Sequence, residues 1–214
     1  MIFNEIAMLD DSPPKKFQFI GGEVCLDFCN TVGGKRGGTT REKLHSYQDF
    51  LDWCEQAELV SESKCALLKR KAFEDTNKAG SVLARALELR EAIFRVFFTI
   101  IERAQPSEAD IALLNAELAK SMCRLRICAN QEGFGWRWAE EPAELDEPLG
   151  PLAHSAAQLL ASDQKLAHVR QCRGENCGWL FIDSSKNHSR CWCDMRDCGN
   201  RAKVRRHRQK RHTI

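Results

Sequence analysis

The spacing of four cysteines constrains this chain more than any other feature. Cys172 and Cys177 enclose four residues, Cys193 and Cys198 enclose four more, and fifteen residues separate the two pairs. Four thiolates arriving on two short turns can close a tetrahedron around Zn2+, and the segment between them is long enough for a hairpin but too short for a core of its own. The metal supplies the missing stability, on the order of 10–16 kcal/mol near neutral pH for a structural site in a short module. One structural Zn2+ per chain is expected. With sulfur at all four positions, no coordination site is left open for catalysis.

The remaining cysteines bear on that reading. Eleven is a high number and an odd one. A secreted disulfide scaffold would be shorter and would pair them all, so the count points to a reducing compartment, with four ligands and a scatter of small buried apolar side chains. Cys191 complicates the ligand set. Alternation around Trp192 sends Cys191 and Cys193 to the same face, so either could reach the metal, but only Cys193 repeats the four-residue spacing. His188 is a weaker substitute and reads as a loop residue.

Charge divides the chain at the same place. The net charge is +2, yet from Lys165 to the end there are thirteen Lys and Arg against four Asp and Glu, a net of +9 that leaves −7 on residues 1–164. A basic terminal module suits a polyanion, and an acidic body argues against wrapping the whole molecule on it. The closing segment carries Arg201, Lys203, Arg205, Arg206, Arg208, Lys210 and Arg211. Arg201, Arg205 and Arg208 recur at i, i+4 and i+7 as one helical stripe; Lys203, Arg206 and Lys210 form a second. Such a helix repels itself unless something anionic neutralises it. A nucleic-acid backbone would do so, and contact with roughly five phosphates would give a slope of about −4.5 for log affinity against log salt. A solubilising tail and a site for an acidic protein are the plainer alternatives, and the basic helix alone does not separate DNA from RNA.

Ahead of the metal module the sequence reads as a mobile lead-in, residues 1–16, then a helical domain, 17–162. Ser46, Ser61 and Ser107 are expected helix caps, and the longest helix is expected over 81–103 with its aromatic stripe in the core. Alternation at 124–128 and 136–138 predicts a hairpin with one face over the helices. Residues 139–148 read as an acidic linker or solvated loop, followed by a helix over 149–161. The glycine-rich stretch 33–40 lacks the phosphate-loop pattern and reads as a connector or lid. In the module, the strand 179–182 is expected to pair with 190–192 across a loop at 183–189, with Cys198 in the first turn of the basic helix. The fold class is mainly α with a small β-hairpin: an α-helical N-terminal domain plus a C-terminal treble-clef-like zinc finger over 163–214.

One polar cluster stands out in the body. If residues 23–31 are helical, Asp27, Asn30 and Thr31 share a face at i, i+3 and i+4. They either satisfy buried backbone groups or line a ligand pocket. An enzyme working there is the alternative from another class, but the chain offers no nucleophile and base pair, no open metal site and no cofactor loop, so no enzymatic activity is expected. No apolar run is long enough to cross a bilayer and the first residues lack the features of a signal peptide, so a soluble, cytoplasmic protein with no membrane partner is expected.

Cys198 to Arg201 spell C-G-N-R. Together with the C-x4-C pair, the W-x-F-x-D-S run at 179–184 and the W-C at 192–193, this segment resembles the CGNR zinc finger. The stretch G-G-E-V-C-L-D-F-C-N-T at 21–31 resembles the opening motif of the ABATE domain that commonly precedes that finger. The resemblance covers nearly the whole chain after residue 16. It implies a bacterial, stress-linked transcription regulator whose helical domain senses a small-molecule effector and whose finger binds DNA. By the motif match Cys172, Cys177, Cys193 and Cys198 inherit the metal role. Cys191 stands where a basic residue is expected, which leaves alternative ligation or redox sensitivity open. A homodimer is expected if the operator is symmetric.

Overall fold

The computed structural model describes residues 17–130, 133–139 and 143–211; the expected lead-in, 1–16, lies outside them, as do the side chains of Lys210 and Arg211. In chain order the elements are α1 (Val24–Cys29), β1 (Gly33–Gly34), β2 (Thr40–Arg41), α2 (Tyr47–Gln56), α3 (Glu62–Glu74), α4 (Thr76–Ile101), α5 (Glu108–Met122), β3 (Leu125–Asn130) and β4 (Gly133–Trp138). Then follow α6 (Leu149–Leu160), α7 (Asp163–Leu166), β5 (Val169–Gln171), β6 (Leu180–Ile182), a π-helical turn (Met195–Gly199) and α8 (Asn200–Arg211). Helices dominate. Among the described residues the sheets are two-stranded and antiparallel: β1–β2, β3–β4 and β5–β6.

The caps form as their chemistry dictates. Ser46 Oγ accepts from Asp49 N while the Asp49 carboxylate accepts from Ser46 N, a reciprocal capping box that starts α2. Ser61 and Ser107 cap α3 and α5 by the simpler one-way bond, each Oγ accepting from the N–H three residues on, of Lys64 and Asp110. α4 begins earlier than the expected position 81, because Asp75 takes the Lys78 N–H and starts the helix at Thr76 despite the helix-weakening Gly80. Its buried stripe, including Val82, Ala86, Leu89, Ile93 and Phe97, is the spine of the core. Against it lie α1, with Phe28 stacked at tilted angles on Phe50 and Trp53 of α2, and α6, with Leu152, Ala156 and Leu159 fully buried. Cys25, Cys29, Cys54 and Cys65 fill small gaps in this core, and burial pushes the Cys29 thiol up to about 12.

Four expectations are corrected. The hairpin β3–β4 does not lay a face over the helices: Leu125 is buried at its base, but Ile127, Phe134 and Trp136 are exposed. Its two strands carry the expected alternation, yet among the described residues nothing covers Ile127, Phe134 and Trp136 in the outer half. The described part of the acidic stretch, 143–148, is docked rather than free, with Leu145 buried, its carbonyl accepting from Tyr47 Oη, and Glu147 paired with Arg124 and Lys64. The 33–40 stretch is a short hairpin, pinned by Arg36, whose guanidinium grips Glu91 and stacks over Phe94. Lastly, residues 190–192 form no strand. β6 pairs with β5 instead, with Val169 opposite Ile182 and Gln171 opposite Leu180.

Candidate metal centre and basic helix

The β5–β6 pairing explains how the first two cysteines meet. The ladder continues one step beyond the strands, Cys172 N donating to Trp179 O at 2.8 Å, so residues 173–178 are the tight turn of one hairpin. Within that turn a Cβ on Gly174 would lie 2.9 Å from Cys177 Cβ and 3.1 Å from Cys198 Sγ; only glycine leaves room for the sulfurs. After β6 the chain winds around Asp183, whose carboxylate accepts from Ser185 N, Ser185 Oγ and Arg190 N. That loop returns residue 191 to the hairpin, where Cys191 O accepts from Arg173 N. Arg190 then lies over the Phe181 ring and donates to Trp192 O, fixing the approach of Cys193. The π-helical turn brings in Cys198, started by Asp194 Oδ1 accepting from Arg196 N.

The four side chains converge. Cys172, Cys177, Cys193 and Cys198 are all buried and their sulfurs lie within 4.8 Å of one another. The Sγ–Sγ distances are 3.7 Å for Cys177 to Cys193 and 3.5 Å for Cys193 to Cys198. Sulfurs bound tetrahedrally to zinc at about 2.3 Å stand about 3.8 Å apart, so the cage fits one Zn2+ with little adjustment. Donation from the Cys177 and Cys193 side chains lowers the pKa of the Cys172 thiol, and the same contacts push the Cys177 and Cys193 thiols up. The cluster therefore favours a single thiolate, on Cys172, until a cation neutralises the others. Cys191 is outside the cage, its Sγ turned to Ser189 O. His188 is outside as well: its ring stacks on His168 at a centroid distance of 3.7 Å.

Around the cage sits a second set of contacts that spacing did not reveal. Arg201 donates from Nη2 to Cys198 Sγ at 3.3 Å and to Asp197 Oδ2 at 3.0 Å, so this arginine faces the metal ligands. Arg205 pairs with Glu175 on the turn. Lys203, Arg206 and Arg208 have no acidic partner among the described residues, and every described residue of α8 from Arg201 to Gln209 except Ala202 is exposed. α8 therefore leaves the finger with almost nothing packed along it.

The finger is mounted on the body through main-chain groups. Asn30 makes a two-point amide clip, Nδ2 donating to Leu180 O and Oδ1 accepting from Leu180 N, both at 2.8 Å. Ile182 N donates to Gly21 O, Gly178 N to Gly34 O, and Trp179 Nε1 to Val32 O. Val169 and Leu180 enter the body's core. The expected face of Asp27, Asn30 and Thr31 is only partly helical, since α1 ends at Cys29 with Asn30 as its C-cap. Asp27 Oδ1 accepts from both Ile20 N and Gly21 N, and Thr31 Oγ1 donates to Phe28 O and accepts from Arg90, the buried arginine held by Glu42. All three side chains are buried, and Asn30, Thr31 and Oδ1 of Asp27 spend their hydrogen bonds inside the protein.

A cavity of about 730 Å3 opens elsewhere in the body, between α3, α5, the base of β4 and the start of α6. Its lining comes from five separated stretches of chain, Leu67, Arg85, Glu117, Arg137, Trp138 and Glu147 among them, and no local pattern announces it.

Comparison with known families accounts for both parts. The model of the ABATE family, described as "Putative stress-induced transcription regulator", matches residues 22–163, and the model of the CGNR zinc finger matches residues 168–211. Neither description is that of an enzyme family. No curated protein matches the chain. Among the described residues no helix is long and apolar enough to cross a membrane.

Proposed function

From the premise that the chain belongs to the ABATE family and carries a CGNR zinc finger, we propose that it is a zinc-dependent, DNA-binding transcription regulator whose helical body senses a small molecule. The observation that carries this reading is α8, a basic helix standing clear of the protein at the rim of a sulfur cage. In this reading Cys172, Cys177, Cys193 and Cys198 hold one structural zinc. Bound there, the metal supplies rigidity to a turn and a loop too short to fold alone, and no reactive site.

The roles within the helix differ. Arg201 orients Cys198 and positions the first turn. Lys203, Arg206 and Arg208 are the cations free to meet phosphates or base edges, with Lys210 and Arg211 continuing the helix beyond them; Arg205 joins when Glu175 lets go. The functional division falls near residue 163, with a cytoplasmic setting that keeps the ligand thiols reduced. A route from body to finger runs through α6, where Ser155 Oγ accepts from Cys25 N of α1, and on through Asn30 at the end of α1 to Leu180.

Titration of the zinc-loaded protein with duplex DNA over a range of salt tests the reading. Three free cations predict a slope of at least about −2.7, and truncation of residues 199–214 should abolish binding. Binding that survives the truncation unchanged would sink the assignment. A parallel titration with single-stranded and hairpin RNA decides between the two nucleic acids, and preference for RNA would move the function to RNA binding.

A further inference from the structure

We propose that the cavity between α3, α5, β4 and α6 binds a small organic carboxylate with an apolar body. The inference takes its biological meaning from the sensing role above, and its chemistry from the cavity alone.

At about 730 Å3 the cavity falls within the roughly 300–1,000 Å3 of small-molecule sites. Its charge is unbalanced. Arg85 holds Glu117 and Asp146, and Lys120 reaches the same Glu117 at 3.0 Å. Lys64 and Arg124 converge on Glu147. Three carboxylates are thus consumed by four cations, and the fifth cation of the lining, Arg137, has no acidic partner among the described residues. Its position reinforces the demand for an anion. Arg137 stands directly across the hairpin from Arg126, and like charges so placed repel. Arg126 turns back to the carbonyls of Cys123 and Leu125, which leaves Arg137, exposed at the cavity, as the guanidinium of this pair without a protein partner among the described residues.

The rest of the lining selects the kind of anion. Trp138, Leu67 and Leu149 offer apolar surface beside that charge. The Trp138 ring is set edge-on to His154 at a centroid distance of 5.8 Å, so it presents a fixed face. Inorganic phosphate would satisfy Arg137 but leave this surface wet. A carboxylate on an aromatic or aliphatic body satisfies both, taking two parallel hydrogen bonds from the guanidinium and stacking its apolar part on Trp138.

The test uses the full-length zinc-loaded protein and isothermal titration with 4-phenylbutyrate and octanoate, each against its neutral primary amide and against inorganic phosphate. At least one carboxylate should bind, its amide about tenfold or more weakly, and phosphate negligibly. Arg137→Gln, at an exposed position, should reduce carboxylate affinity about tenfold, whereas Leu67→Trp should block the cavity and abolish binding. Failure of both carboxylates, equal binding of the amide or phosphate, or full affinity in Arg137→Gln overturns the proposal. DNA titration of the same preparations separates the two claims. Carboxylate binding without any change in DNA affinity removes the sensing role and leaves the site, while intact DNA binding with no carboxylate bound removes the site alone.

Discussion

Asp27 keeps a buried carboxyl where two backbone N–H groups need an acceptor. Burial raises its pKa from 3.8 to about 6, and the bonds from Gly21 and Ile20 only partly offset that. The sign follows from linkage. The folded protein holds this proton to a higher pH than the unfolded chain, so the stabilisation from Asp27 is complete below pH 3.8 and is lost as pH rises through about 6. Both N–H groups bond to the same oxygen, Oδ1, which asparagine also supplies. Asp27→Asn should therefore flatten the pH dependence of stability between about 4 and 6 and raise stability at pH 7 by about 2 kcal/mol, measured by urea unfolding across that range. An unchanged profile would show that burial is not what perturbs the group. The four metal cysteines were legible at this scale because ligand spacing is local. The partner of Asn30 was not, since Leu180 lies 150 residues away.

At the scale of elements, the caps and amphipathic stripes gave α2, α3, α5 and α6 from the sequence, because capping chemistry and helical period act within a few residues. Strand pairing was less legible. Hairpin spacing alone pairs Trp179 to Ile182 with 190–192, whereas the docking of Val169 and Leu180 into the core selects β5. The exposed face of β3–β4 likewise depends on where α5 and α6 end. α8 was readable as a basic helix, but its isolation was not. A 12-residue helix with almost no packing is marginal in water, where about 12–15 residues are needed even for favourable sequences. Its amides should exchange with solvent much faster than those of α4 in the free protein and become protected on adding duplex DNA, as read by hydrogen exchange with mass spectrometry. Protection equal to that of α4 before any nucleic acid is added would contradict the picture of an unsupported helix.

In the whole molecule, the metal and the body share a foundation. The sulfur cage, with Phe181, Trp179, Trp192 and Ile20 around it, is a small core of its own, while the hairpin that carries its first two ligands is also a wall of the larger one. Chelation should therefore do more than release the finger. We expect loss of tryptophan near-UV ellipticity, retention of most helical signal, and a fall of about 5–10 °C in the melting temperature of the body as the contacts at Leu180 and Trp179 weaken. A body that melts at the same temperature with and without zinc would mean that the mounting contributes no stability.

The mounting also has an evolutionary reading. Asn30 grips the N–H and C=O of residue 180, Gly21 the N–H of residue 182, and Gly34 the N–H of residue 178, groups that almost any residue in an extended strand presents. Those main-chain grips do not read side chains, whereas Trp179, Val169, Leu180 and the close-fitting Gly178 do. A different terminal module could seat on the same body only if it offered a strand at that place together with equivalents of those side chains.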